Sequence, residues 1–91
     1  MQKHTKVYLK YFNFTPEDFI PCELCGARAV DIHHIVPRSK FGKKLKQEQD
    51  EIVNLMALCR TCHEVYGQSK TYNDWLQSKH ELYIVGRHLL N

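Results

Sequence analysis

The residues with chemistry to offer are concentrated between Cys22 and His63. They are Cys22-x-x-Cys25, Asp31-Ile32-His33-His34-Ile35, Asn54-Leu55 and Cys59-x-x-Cys62-His63. Thiolate and imidazole are the usual ligands of zinc, and two Cys-x-x-Cys knuckles supply four sulfurs, enough to close a tetrahedral structural site. In each knuckle the two-residue spacer lets both sulfurs face one ion, and Gly26, just after the first pair, accommodates the tight turn. Two disulfides and a redox Cys-x-x-Cys are the competing readings; two equally spaced pairs favour a structural zinc at Cys22, Cys25, Cys59 and Cys62. An ion held by four thiolates has no open coordination position, so its role is folding. Chemistry then falls to the histidines. A neutral imidazole, with an unperturbed pKa of about 6.5, can take a proton from water near neutral pH or ligate a divalent ion.

The elements that must position these groups are short. Ala29 to Val36 reads as a strand that Pro37 brings to an end, and in a regular strand His33 and His34 point to opposite faces. For both to serve one site the backbone must bulge or end there. Leu55 to Leu58 is apolar and short enough for a second strand, after which the second knuckle leads into a helix that His63, Glu64 and Val65 begin and Gly67 weakens or ends. The stretch from Cys25 to Cys59 is longer than in a compact zinc ribbon and must hold structure of its own. Arg38 to Glu51 is polar, contains Gly42 and has no sustained apolar period, so it reads as a long loop with at most a helical turn near Gln47 to Ile52.

The flanks are plainer. Lys3 to Phe14 mixes lysines with aromatic and aliphatic residues in a period ambiguous between strand and helix; its aromatics either pack on a small core or form a surface where lysines meet phosphates. Thr15 as N-cap, Pro16 at the first helical position and the acidic Glu17 and Asp18 suggest a helix start that ends before Pro21. From Thr71, another plausible N-cap, the residues Tyr72, Trp75, Leu76, Leu82, Tyr83, Leu89 and Leu90 recur at roughly helical spacing, interrupted by Lys79 and Gly86. His4, His80 and His88 fall outside the central constellation and are expected at the surface.

A chain of 91 residues makes one domain, and it buries little more than ~60% of its unfolded surface, so its core is marginal and a metal cross-link would help. Met1 opens no apolar run of signal-peptide type and no stretch is apolar enough to span a membrane, so a cytoplasmic protein with reduced thiols is expected. The net charge of +3 is mild, but its distribution is not even: Arg38, Lys40, Lys43, Lys44 and Lys46 follow the paired histidines, and Glu48, Asp50 and Glu51 confine their positive field. With Arg60 these cations are candidates for phosphate contacts; the plain alternative is a solvated charged loop. No pattern for reading bases is present.

Over residues 22 to 63 the chain resembles the HNH endonucleases, which belong to the ββα-metal or His-Me finger nucleases, in the subgroup with two zinc-binding cysteine pairs. The resemblance rests on Cys22-Glu23-Leu24-Cys25, Asp31-Ile32-His33-His34-Ile35-Val36-Pro37-Arg38-Ser39, Asn54-Leu55 and Leu58-Cys59-Arg60-Thr61-Cys62-His63. It implies an α+β fold: a small ββα-metal finger with a four-cysteine zinc site and flanking helices, residues 1–21 being an N-terminal extension and 64–91 a C-terminal helical segment. It further implies that His34 is the general base, that His33 and His63 hold a catalytic divalent metal, and that Asn54 braces the loop that keeps the base in place. Asp31 would touch the metal or only hydrogen-bond within the site. The implied reaction is metal-dependent hydrolysis of DNA, leaving a 5′ phosphate and a 3′ hydroxyl; double-stranded DNA is the expected partner, and the lack of a base-reading pattern in the chain itself points to weak sequence preference.

Chemical reasoning about such a reaction agrees. Phosphodiester hydrolysis needs a nucleophile made from water and stabilisation of the charge that develops on the phosphate and leaving oxygen. Magnesium prefers oxygen ligands and sits poorly on two imidazoles, whereas manganese, nickel, cobalt and zinc accept nitrogen, so several ions are expected to work. A homodimer would let two sites cut both strands; a monomer would more readily nick one. The duller alternatives are a turn role for Asn54, a fifth zinc-ligand or helix-capping role for His63, and, for the whole chain, a non-catalytic zinc module that recognises nucleic acid or protein. A thiol redox protein is a further rival and would need a reactive thiolate.

Overall fold

A computed structural model describes residues 2–36 and 49–90, with the element order α1 (Lys3–Phe12), β1 (Asp31–His34), β2 (Leu55–Leu58), α2 (Arg60–Cys62) and α3 (Asn73–Leu90). A 3-10 turn at Ile52–Asn54 leads into β2, a π turn at His63–Gly67 continues α2, and a second 3-10 turn at Lys70–Tyr72 precedes α3. The expected α+β architecture is observed. The basic residues Arg38, Lys40, Lys43, Lys44 and Lys46 lie outside the described residues.

β1 and β2 pair antiparallel in an unbroken register, Asp31 opposite Leu58, Ile32 opposite Ala57, His33 opposite Met56 and His34 opposite Leu55. All four residues of β2 are buried, because the strand is covered on both faces. Met56 and Leu58 pack with Cys22, Ile35, Cys59, Cys62 and Leu76 on one side. Leu55 and Ala57 pack with Tyr8 and Phe12 of α1 on the other. An uninterrupted apolar run such as Leu-Met-Ala-Leu is what a strand buried on two faces requires. The sheet is thus a thin layer between α1 and the cysteine knuckles.

The ambiguous N-terminal segment is a helix. Its buried residues, Tyr8, Leu9 and Phe12, lie at helical spacing, and it stops at Asn13, which adopts the left-handed conformation at φ 61°. Asn13 and Phe14 donate their N–H groups to Lys10 and Leu9, satisfying carbonyls of the last turn. The helix expected from Thr15 does not form. Asp18 turns back to accept the Thr15 N–H at 2.7 Å, and the few residues before Pro21 are too short to nucleate more than this turn. The first strand is also shorter than Ala29 to Val36, although Val30 and Ile35 still donate to Leu58 and Asn54 on either side of β1.

α3 runs through Gly86 and presents Leu76, His80, Tyr83 and Ile84 inward. His80 is therefore not a surface residue: its side chain is fully buried, and the surface expectation is overturned for it. Leu82, part of the expected apolar stripe, is instead exposed. The position of His80, four residues after Leu76, places it on the core-facing stripe.

His80 reaches Glu23, a residue in the spacer of the first knuckle. Its Nδ1 lies 2.6 Å from Glu23 Oε1 and its Nε2 lies 2.6 Å from the Ile52 carbonyl. A carbonyl only accepts, so Nε2 carries a hydrogen, and the short Nδ1–Oε1 contact requires a second proton between the pair. Glu23 Oε2 accepts from the Tyr8 hydroxyl at 2.6 Å and from the Ala57 N–H at 3.2 Å. The burial of the phenol and the negative carboxylate together push the Tyr8 pKa far up, so the hydroxyl stays protonated and donates. Every polar atom in this buried group has a partner, which is the condition for tolerating it.

Replacing His80 with alanine leaves the Glu23 carboxylate and the Ile52 carbonyl buried without that partner. The expected loss is on the order of 3 kcal/mol, read as a lowered midpoint of urea unfolding at saturating zinc; an unchanged midpoint would show that the network carries no stability.

Candidate metal centre and histidine sites

The two knuckles converge. The sulfurs of Cys22, Cys25, Cys59 and Cys62 all lie within 4.8 Å of one another, and Cys25 Sγ is 3.6 Å from Cys59 Sγ. Zinc–sulfur bonds of ~2.3 Å in a tetrahedron put sulfurs about 3.8 Å apart, so the four thiols fit one zinc ion. The backbone builds this. Gly26, at φ 81°, lets its N–H return to the Cys22 carbonyl at 2.9 Å, and the Cys22 N–H bonds the Ala27 carbonyl at 2.6 Å. In the second knuckle Cys59 is the N-cap of α2, and the Cys62 N–H points at the Cys59 sulfur from 3.4 Å. That N–H is the main reason the Cys59 thiol is pulled down to about 7, the range in which it ligates as thiolate. Burial pushes Cys62 the other way, a cost that a bound cation offsets.

β1 is regular, so His33 and His34 do point to opposite faces. No bulge intervenes; instead the strand ends at His34.

His33 shares the face of Met56 with α2 and the π turn. Its ring centroid is 5.1 Å from that of His63, and Asp31, two residues earlier on the same face, approaches His63 Nδ1 at 3.9 Å. His33 Nε2 is buried with no hydrogen-bond partner among the described residues. Burial, then the neighbouring His63 and His34, lower its pKa to about 4 against a weaker pull from Asp31, which keeps the ring neutral and its lone pair free at neutral pH. An orphaned nitrogen, a second imidazole and a carboxylate are donors of the kind a divalent transition ion takes, but unlike the four sulfurs their ligand atoms do not all lie within 4.8 Å of one another. Gly67 allows the approach. A Cβ there would stand 3.0 Å from His63 Cδ2 and 3.3 Å from His33 Cε1.

His34 faces α1 and Leu55. Its Nε2 lies 2.8 Å from Asp50 Oδ1, both side chains being 11% exposed, and its ring packs on that of His4 at 4.5 Å between centroids. Burial acts to raise the Asp50 pKa, but the hydrogen bond from His34 and the charges of His34, His4 and Lys3 outweigh it and hold the carboxyl below its ordinary value. Asn54, itself buried, fastens this arrangement. Its Oδ1 accepts from the Val36 N–H at 2.8 Å, and its Nδ2 donates to the carbonyls of Val36 and Gln49 at 3.1 and 2.9 Å. One amide therefore ties Val36, just past β1, to the residue before Asp50. Arg60 is exposed on α2.

So the structure groups Asp31, His33 and His63 on one face of β1, and His34 and Asn54 with Asp50 on the other. Asp50, His4, Glu23 and His80 are not evident as partners from the sequence. Asp50 reads there only as a charge limiting the basic run, His4 lies far away in the chain, and Glu23 looks like a spacer. Only His80 carries a usable signal, its helical spacing from Leu76.

Residues 22–69, more than half of the chain, match the HNH endonuclease family, and the protein belongs to that family. The chain is also similar to a mitochondrial DNA mismatch repair protein mutS homolog of Sarcophyton glaucum, 40% identical over 42 residues, which are 46% of this chain and 4% of that relative. The chain thus spans a small fraction of the relative's length. No solved structure matches it.

Gly67→Ala tests the packing of the histidine face. The added methyl presses on the His63 and His33 rings, so an exchangeable ion held by them should bind about tenfold more weakly while the chelator-resistant zinc stays; titration of Gly67→Ala and His63→Ala with Co2+ followed by absorbance reads both, and a full set of unchanged affinities in both variants would show that these rings are not the ligands.

Proposed function

We propose that this chain is a metal-dependent endonuclease that hydrolyses DNA phosphodiester bonds, with His34 as the general base. The observation that carries the reading is the His34–Asp50 pair at the end of β1, one residue from the Asp31, His33 and His63 group. Asp50 accepts the Nε2 hydrogen of His34, which leaves Nδ1 with the lone pair that takes a proton from water. The carboxylate also orients the ring and stabilises the imidazolium that results. Asn54 supports the pair from behind by fixing the chain on both sides of it.

Because His33 and His34 are on opposite faces, a phosphate must lie across the end of the strand to meet both. Among the described residues β1 has no strand partner on the edge away from β2, which supports an approach there. An ion held by His33 and His63, with Asp31 beside them, would supply positive charge to the phosphate and the leaving 3′ oxygen. Arg60 and the cations Arg38, Lys40, Lys43, Lys44 and Lys46 are proposed to neutralise backbone phosphates of double-stranded DNA, without reading its sequence. A relative named for DNA mismatch repair is in keeping with a DNA substrate.

The test is cleavage of supercoiled plasmid at low salt with Mg2+, Mn2+, Co2+, Ni2+ or Zn2+, and with excess EDTA as control. The wild type should nick or linearise the plasmid only with metal. His34→Ala should lose ~10²-fold or more while keeping its fold and tight zinc. A wild type that retards DNA in a gel yet cleaves neither plasmid nor single strands with any ion would make the chain a non-catalytic binding module.

A further inference from the structure

The face of β1 away from the cysteines holds a group of ligand-type side chains that the nuclease reading does not use together. His4 from α1, His34 from β1 and Asp50 from the segment before the Ile52–Asn54 turn each offer one ligand atom, and these atoms all lie within 4.8 Å of one another. All three residues are half-buried. Two imidazoles and a carboxylate are a donor set for zinc and its neighbours among the transition metals.

We propose that His4, His34 and Asp50 form a second exchangeable metal site, separate from His33 and His63, in which an ion of the zinc type switches off the base. Metal–nitrogen and metal–oxygen bonds of ~2.0–2.2 Å place tetrahedral ligand atoms about 3.3–3.5 Å apart. The His34–Asp50 contact of 2.8 Å would open slightly and His4 would close in, displacements on the order of 1 Å that side-chain torsions supply. The carboxylate is already ionised, because the hydrogen bond from His34 and the charges around it keep its pKa low. The ring of His4 is held against that of His34, so the two imidazoles meet without a change of fold. A water or a substrate oxygen completes a fourth position.

The consequence follows from the valence of imidazole. A neutral ring has one lone pair; once an ion holds it, the other nitrogen carries the hydrogen and no base remains. The site therefore competes with the proposed reaction instead of serving it. Hard ions with oxygen preference, Mg2+ above all, occupy it poorly, whereas Zn2+ fits. Low zinc would fill the cysteine cluster first, and higher zinc would bridge α1, β1 and Asp50.

The inference that the bound ion inhibits rests on the nuclease reading; the site itself does not, and the experiment separates them. Protein with its cysteine zinc in place is titrated with Zn2+ by calorimetry, using wild type, His4→Phe and His63→Ala. His4→Phe keeps an aromatic ring against His34 and removes both nitrogen donors. The wild type should take two exchangeable ions per chain, with His4→Phe losing one and His63→Ala the other. In parallel, added Zn2+ should suppress Mn2+-driven plasmid cleavage by the wild type about tenfold or more and leave His4→Phe uninhibited, each rate being taken relative to the same variant's own rate without zinc. Equal ion counts and affinities for wild type and His4→Phe would overturn the site. Loss of one ion from folded His4→Phe with no cleavage by any variant would establish the site and remove the nuclease reading. Equal inhibition of wild type and His4→Phe would assign the inhibition elsewhere and overturn the switch. Should His4→Phe fail to fold by circular dichroism, Asp50→Asn replaces it in the binding titration, with the same count deciding.

Discussion

One buried carboxylate connects the parts of this small domain. Glu23 sits between Cys22 and Cys25, receives hydrogen bonds from α1 through Tyr8 and from β2 through Ala57, and meets His80 of α3. His80 in turn reaches Ile52, at the turn that leads into β2. The first cysteine knuckle is thus fixed to α1, β2 and α3 by one side chain, and the four sulfurs can meet only because that knuckle is held against β2. Removing such a group from water is expensive, and the cost is tolerable because both of its oxygens have hydrogen-bond partners in place. The apolar core around it is divided between the two faces of the sheet.

The period of the strand governs the site in the same way that Glu23 governs the fold. With no bulge in β1, adjacent histidines face apart, and the chain builds a different environment on each side. On one side His33 meets His63, loses its charge to burial and keeps an unbonded nitrogen. On the other His34 is paired with a carboxylate and packed on a ring. Two residues of identical type thus acquire different surroundings, one keeping a buried, unbonded nitrogen and the other hydrogen-bonded to a carboxylate.

Much of this is legible from the residues. Cys22, Cys25, Cys59 and Cys62 announce their cluster by spacing, Leu55 to Leu58 reads as a strand, and residues 22 to 63 carry the family signature that the match over 22–69 bears out. What stays hidden depends on contacts between segments remote in the chain. Nothing local distinguishes Glu23 from a solvated spacer, and nothing near Asp50 says that it will face His34, sixteen positions away. Thr15, Pro16, Glu17 and Asp18 give a sound local signal for a helix start, yet too few residues follow for the helix to propagate. His80 escapes because a polar residue on an apolar stripe reads as an interruption of it, whereas its partner Glu23 is buried on a distant segment.

The Asn54 amide joins Val36 to Gln49, and so it closes the chain into a ring whose neck is a few ångströms of hydrogen bonding. With the neck tied, Val36, just past β1, and Gln49, next to Asp50, are held together by a single side chain. Losing Asn54 would therefore release both segments at once, so the meeting of His34 with Asp50 depends on a side chain that touches neither the ring nor the carboxylate.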